Sequence, residues 1–594
     1  MSETATRPGA LGGAAAALGA RAAAAGAWAA ARPPRRLAAL GLLCLLLFLP
    51  GIAALPVTDR DEARYAQATT QMLETGEFVD IRFQDGPRWK KPAGIYWMQA
   101  ASVAAAGGPE GVGVWAWRVP SLIGAVLTVF AAYWALGPLL GARGAFLAAG
   151  LTGASLILAA EANIAKTDAM LTGLTTLALG AWIRRMTGAG LSEARPAPRA
   201  VALEETEGRG ALAAILWGAL GLAVLVKGPI APAVLVLAAV WTALSGRSWR
   251  PVRALGLIGW GPLLFLAIAL PWYVAIWAKT DGAFFAESVG RDLLGKLVEG
   301  QEKHGAPPGT YLGVAWAVFF PWAGLALCAA PFVWRERGAA WAAPLLGWAV
   351  PMWLLLEAAP TKLPHYVMPL APALAGLVAA WALREGGAAR RWSWIAAAAL
   401  FGLVGAALGL ANLALPVAVG EGLSPWGALL ALAGLGAVAL GVAALRAEDL
   451  RGALAAMALA ALTLFPATLQ FGLPRTEFGF PSEAMARASA PWAACLGRPA
   501  ASQSYREPSL VFLQGTDTRL MSVEAAATAL REEAGATVWI EDRRRERLMD
   551  AFEGEPPDLE TLETVTAFNP NRGGITTLRL TARAGDPAIA ACRP

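Results

Sequence analysis

Between its first two long apolar runs the chain reads TDRDEARYAQATTQMLETG and then RWKKPAGIYW. Three carboxylates (Asp59, Asp61 and Glu62) and two arginines (Arg60 and Arg64) at the head of the first stretch, and the pair Lys90–Lys91 in the second, lie there between segments suited to lipid. Charge is costly beside a bilayer, so such a group is a candidate site. Asp61, Arg64 and Tyr65 stand at i, i+3 and i+4, which puts them on one face of a helix. An ionised Asp61, held by Arg64, can take a proton from an incoming hydroxyl or amine, with Glu62 and Tyr65 beside it to position the reactants. Thr58 or Asp59 is expected to cap this helix, and Gly76 to end it. The same residues also suit an ordinary helix start with capping carboxylates, and both readings stand at this point.

A second acidic position, Asp168 in EANIAKTDAM, opens an apolar run, where a carboxylate facing a cavity is a functional candidate. Asp61 and Asp168 together supply two carboxylates, one to accept a proton and one to orient a reactant. Lys91 precedes Pro92 at the turn into a short apolar helix, and lysine is a common phosphate ligand. Lys362, His365 and Tyr366 in TKLPHYVMPLAP, with Lys296 in RDLLGKLVEGQEKH, would complete a cationic pocket for a lipid phosphate. Headgroup snorkelling explains each lysine equally well when it is taken alone.

The elements that must position these residues follow from composition. Of 594 residues 57% are hydrophobic and only 15% charged, with a mean hydropathy of +0.50. Soluble domains have about 45–50% and about 25%. Apolar runs recur from Leu37 to Leu473 and divide into about thirteen spans of roughly 20 residues, so the chain reads as a mainly α, polytopic membrane protein. Two short helices, near 62–75 and 95–106, are expected in or near the interface. Residues 1–36, rich in Ala, Gly and Arg, read as a disordered cytoplasmic tail, and 37–474 as the membrane domain.

Arginine occupies every second connection, from Arg143 to Arg451, which makes those connections cytoplasmic. The long loops 57–117 and 279–310 and everything after residue 474 then lie outside. Lys166, Lys227 and Lys362 fall on the side that should lack basic residues, so a shared anionic ligand or snorkelling must account for them. Residues 475–594 read as a small α/β domain, with strands at 510–514, 536–540, 562–568 and 575–582 and helices at 523–533 and 543–552. Cys495 and Cys592 flank it and are either paired or free. The net charge of +6 is accounted for by the cytoplasmic arginines and implies no nucleic-acid partner.

DEARYA, KP followed by YW, the KTD motif and KLPHYVMPLAP, taken together, resemble the bacterial GT-C integral membrane glycosyltransferases. The likeness is to the aminoarabinose transferases of lipid A and to the wider protein-mannosyltransferase-like group. It implies transfer of a sugar from a polyprenyl-monophosphate donor to an envelope acceptor, such as lipid A or lipopolysaccharide core, at the periplasmic face of the inner membrane. By the same resemblance Asp61 and Asp168 are the catalytic carboxylates, and Lys91, Lys296 and Tyr366 are donor-phosphate ligands. No cofactor is implied with a definite ligand set. The relatives often have Glu before the Lys-Pro pair, where this chain has Lys90, which weighs against a metal site and against a cationic sugar. A protein O-mannosyltransferase-like enzyme is the nearest alternative. A lipid-linked sugar flippase is the alternative of another class, disfavoured because the charges gather at one face rather than at the midplane.

Overall fold

A computed structural model describes residues 10–58, 60–191, 208–294, 305–419, 421–552, 554–569 and 573–593. Seven of the described helices are long and apolar enough to cross a membrane, and three further apolar helices are shorter. Large apolar side chains remain exposed on the peripheral ones, such as Leu263 and Leu270 on Gly261–Thr280 and Leu403 and Leu410 on Arg391–Ala418, as lipid contact requires. The chain is a multi-pass membrane protein.

Residues 10–30, expected within a disordered tail, form helix α1 (Ala10–Ala30). Its alanine run has the highest helix propensity available, and its glycines allow close packing. A Cβ on Gly19 would lie 2.5 Å from the backbone nitrogen of Gly452, so α1 sits directly against helix Leu450–Pro466. Helix α2 (Pro33–Phe48) follows, and turns over 49–55 lead to α3 (Asp61–Thr75), which ends at a left-handed Gly76. A two-stranded hairpin, β1 (Arg82–Phe83) with β2 (Gly86–Pro87), leads to α4 (Gly94–Ala105). Gly94 carries no side chain because a Cβ there would meet the carbonyl oxygen of Leu225 at 2.7 Å.

Helix α5 (Trp115–Gly153) is interrupted at Gly141, where φ is 69°, so two of the expected spans meet there with no intervening loop. The short α6 (Leu156–Ala162) and a tight turn then introduce α7 (Asp168–Thr187). Helix α7 is too polar to count among the seven lipid-compatible helices and is enclosed instead by α5 and by α8 (Arg209–Lys227). Its threonines bond back to the preceding turn, Thr172 to the Asp168 carbonyl (2.9 Å) and Thr176 to that of Thr172 (2.8 Å). Gly124 of α5 and Gly173 of α7 bring the two backbones together: a Cβ on Gly124 would lie 2.4 Å from Met170 N, and one on Gly173 2.7 Å from the Gly124 oxygen.

The C-terminal residues form a four-stranded sheet in the order β3 (Ala501–Ser502), β4 (Val538–Glu541), β6 (Gly574–Arg583), β5 (Leu559–Asn569), with β3 parallel to β4 and the other pairs antiparallel. Residues 510–514, expected as a strand, are helical within Pro508–Gln514. A short apolar run fits either state, and here packing decides: the helix lies on α3, with Phe512 edge-on to Trp117 at 5.1 Å. Gln84 donates to the Thr516 and Thr518 carbonyls (2.9 and 2.7 Å) and Gln67 to the Thr516 hydroxyl (2.7 Å), joining this region to the 57–117 loop. Cys495 and Cys592 are disulfide-bonded, with Cα atoms 5.7 Å apart.

Because Gly124 meets backbone atoms that cannot move aside, Gly124→Ala should overpack the α5–α7 contact by about 1–3 kcal/mol. A lowered thermal midpoint of the detergent-solubilised protein would show this, and an unchanged midpoint would contradict it.

Candidate active site

The site is assembled around a fully buried ion pair. Arg118, near the start of α5, uses all five of its N–H donors. Nε reaches Glu62 Oε1 (2.7 Å) and Nη2 reaches Glu62 Oε2 (3.1 Å). The other three donors meet the carbonyls of Ile52 (2.9 Å), Leu55 (2.7 Å) and Pro56 (3.1 Å). Glu62 also accepts from the Thr58 backbone N–H (2.8 Å), the Thr58 hydroxyl (3.0 Å) and the Ala165 N–H (2.9 Å). Burial opposes the charge of Glu62, but Arg118 and these donors outweigh it and hold the carboxyl below its ordinary value of 4.5. Glu62 was expected beside the reactants; with no exposed surface and both oxygens occupied it is instead inside the protein. The expected cap at Thr58 or Asp59 is corrected too. The carboxylate of Glu62 reaches back to Thr58, and Asp59 lies outside the described residues.

Ala165 leads directly into a second group of buried charges. Asp168 Oδ1 accepts from Lys227 Nζ at 2.6 Å, and its Oδ2 is 4.0 Å from Lys166 Nζ. Lys166 pairs with Glu161 at 2.9 Å and lies 3.2 Å from His365 Nδ1. His365 Nε2 is 3.8 Å from Asp168 Oδ2. Two carboxylates and two ammonium groups, from α6, the turn before α7, α7 and α8, thus balance in one buried cluster, which His365 joins from the turn Pro364–Leu370. Lys227 also stands 5.2 Å from the centre of the half-buried Tyr366 ring. Glu161 Oε2 is buried with no hydrogen-bond partner among the described residues, the kind of unmet cost that calls for an explanation.

Asp61 is different. It is exposed at the first turn of α3 and makes no ion pair or hydrogen bond with its side chain among the described residues. Its charge acts on Lys166 and His365 of the cluster and on Tyr65, Arg88 and Tyr96. Arg64, expected to hold Asp61, forms no such pair, which leaves the carboxylate available. Tyr65 is buried, and burial pushes its phenol well above the ordinary value. The guanidinium of Arg88 lies 4.9 Å from the Tyr65 ring centre and donates to the Tyr96 hydroxyl at 3.0 Å. Lys91 is half-buried, with its ammonium on the Lys90 carbonyl (3.0 Å).

Two expected phosphate ligands are placed elsewhere by the fold. Lys362 donates to the carbonyls of Leu356 (3.3 Å), Glu357 (2.8 Å) and Ala359, so its ammonium caps the C-terminal end of helix Ala342–Ala358, where carbonyl dipoles attract a cation. His365 turns both ring nitrogens to the charge cluster. Lys296 lies outside the described residues. Sequence reasoning did not single out Arg118, Glu161 or Arg88. Arg118 and Glu161 carried a readable signal, since each is a charged residue at or within the end of an apolar run. Arg88 lay inside the noted basic motif but gave no sign that it would be buried.

The profile of the family described as dolichyl-phosphate-mannose-protein mannosyltransferase matches residues 38–281. An undecaprenyl phosphate-alpha-4-amino-4-deoxy-L-arabinose arabinosyl transferase of Edwardsiella ictaluri is 29% identical over 400 residues, covering 66% of this chain and 65% of that protein. Its namesake in Yersinia pestis is 27% identical over 355 residues, covering 58% and 59%. The match thus spans less than two thirds of each of these curated relatives. The crystal structure of ArnT from Cupriavidus metallidurans bound to undecaprenyl phosphate has a TM-score of 0.70 at 19% identity, over 92% of this chain and 98% of that one. Its apo state gives 0.68 at 20%. The fold is that of the GT-C membrane glycosyltransferases. Within that class the chain resembles the aminoarabinose transferases.

Lys227→Met would leave Asp168 buried without its nearest partner, and breaking such a pair costs about 3–5 kcal/mol. A fall in the detergent unfolding midpoint is the expected result. The depressed pKa of Glu62 sets a pH dependence as well. Its contribution to stability is full above about pH 4.5 and is lost as pH falls from there through the lower folded value. Hydrogen-exchange protection over residues 58–66, measured against the intrinsic rate at each pH, should therefore fall on acidification in that window, and constant protection would contradict it.

Proposed function

We propose that this chain is a glycosyltransferase that moves a sugar from a polyprenyl-monophosphate donor to an envelope acceptor, such as lipid A or lipopolysaccharide core. The observation that carries the proposal is the contrast between Asp61, exposed and unengaged among the described residues, and the charge-balanced cluster around Asp168 next to it. The names of the relatives and the undecaprenyl phosphate held by the ArnT structure support a lipid-phosphate donor.

In this reaction an acceptor oxygen gives its proton to Asp61 and forms a bond to the anomeric carbon. The bond from that carbon to the phosphate oxygen breaks, and its electron pair leaves with the phosphate. A single displacement of this kind inverts the anomeric centre. Cations near the leaving phosphate stabilise the charge that collects there, and Lys91 is assigned that role, with Tyr366 and Lys296 as further ligands. Lys166 and Lys227 keep Asp168 and Glu161 compensated, so Asp168 orients an incoming group by hydrogen bonding without adding a net charge.

The reaction belongs to the periplasmic face of the inner membrane. The arginine pattern supports this orientation. So does the Cys495–Cys592 disulfide, since such bonds persist in oxidising compartments. On this reading residues 37–474 are the catalytic membrane domain and 475–594 a periplasmic domain.

The test is transfer from an undecaprenyl-phosphate-linked sugar by purified protein, with the sugar and acceptor identified by mass spectrometry of envelope glycolipids from a deletion strain. Asp61→Asn should fold normally and lose about 10²–10⁴-fold in rate, the usual worth of a positioned base. Lys91→Ala should raise the donor KM. Full activity in Asp61→Asn would remove Asp61 from the mechanism, and unchanged donor kinetics in Lys91→Ala would remove the phosphate pocket.

A further inference from the structure

We infer that Glu62 is a positioning residue for the transfer, setting where Asp61 stands relative to Asp168; this rests on the reaction proposed above. Glu62 is the immediate neighbour of Asp61, so any displacement of its backbone moves the proposed base. Its Oε1 holds the N–H of Ala165, three residues before Asp168 and next to Lys166. Its Oε2 holds Thr58 through both the backbone N–H and the hydroxyl. One carboxylate therefore ties together the start of α3 and the turn into α7, segments separated by 103 positions in the chain. Arg118 grips the same carboxylate through two donors and spends its other three on Ile52, Leu55 and Pro56.

Glu62 has no exposed surface and five donors on its two oxygens, so it reaches no substrate. A buried ion pair needs its remaining lone pairs met by some donors, but stability alone does not require donors from these particular segments. The observed set does more: two of the three segments that Glu62 joins lead directly to Asp61 and Asp168. The side-chain length matters for the same reason. An aspartate would keep the charge opposite Arg118 but fall one carbon short of spanning Thr58 and Ala165 together.

The experiment compares wild type, Asp61→Asn, Glu62→Gln and Glu62→Asp as full-length protein in lipid nanodiscs. The donor is undecaprenyl phosphate-linked 4-amino-4-deoxy-L-arabinose or mannose, whichever the wild type turns over. Both Glu62 variants should stay folded. Their kcat should fall about 10²-fold, the scale of a 1 Å misplacement, with donor KM within about twofold of wild type. Amide exchange in the segment 163–168 should quicken while the distant helices keep their protection. A kcat near wild type in either folded variant, or full activity in Glu62→Asp alone, would overturn the positioning role and leave a simple ion pair. Loss of folding in both variants would make Glu62 a folding residue and overturn the role as well. If wild type transfers neither sugar, or Asp61→Asn is as active as wild type, the proposed reaction itself fails and the inference falls with it. An inactive Asp61→Asn beside a fully active Glu62→Gln would refute the inference alone.

Discussion

The buried pair of Arg118 and Glu62 is the interaction on which the site depends. Taking two charges out of water is expensive, and the attraction between them offsets that expense only where geometry is good and the remaining donors and acceptors are met. Here all five donors of Arg118 have acceptors, and the carboxylate receives three further hydrogen bonds. The result is a junction between the turns after α2, the start of α3, the start of α5 and the turn before α7. The backbone hydrogen bonds of a helix are internal to it and do not set the distances between these segments. The glycine contact between α5 and α7 brings the helices close enough for the junction to form.

Around that junction most charge is already spent. Lys166 and Lys227 answer Glu161 and Asp168, and Lys362 serves the end of a helix. These are the three lysines expected on the side that should lack basic residues, and the fold accounts for each through a partner in the protein. Asp61 stands apart from this pattern, exposed beside a cluster whose formal charges cancel. A balanced cluster can remain buried without a ligand, and Asp61 beside it keeps an exposed carboxylate unengaged among the described residues.

Much of the helix pattern was legible because it is local. The apolar runs, the short helices α3 and α4, the stop at Gly76 and most strands of the C-terminal sheet follow from hydropathy, period and turn residues over a few positions. The errors have a common origin in contacts between distant segments. Residues 510–514 became helical where they pack on α3, and residues 10–30 became an ordered helix where Gly19 meets Gly452. Glu62 and Asp61 are adjacent and chemically alike, yet one is fully buried and the other exposed, a distinction that no property of the DEARYA motif contains.

By itself the sequence determined that this is a mainly helical membrane protein, and it singled out DEARYA and KTD as acidic positions beside apolar runs. Those conclusions rest on residue type and short-range period, which survive in any arrangement of the helices. Only the tertiary structure decided which charges neutralise one another. Arg118 meets Glu62 across 56 positions, Glu62 meets Ala165 across 103, and Lys166 meets His365 across 199. Such pairings depend on how the helices pack. The same packing separates Glu62 and Asp168, buried with partners, from Asp61, which it leaves exposed.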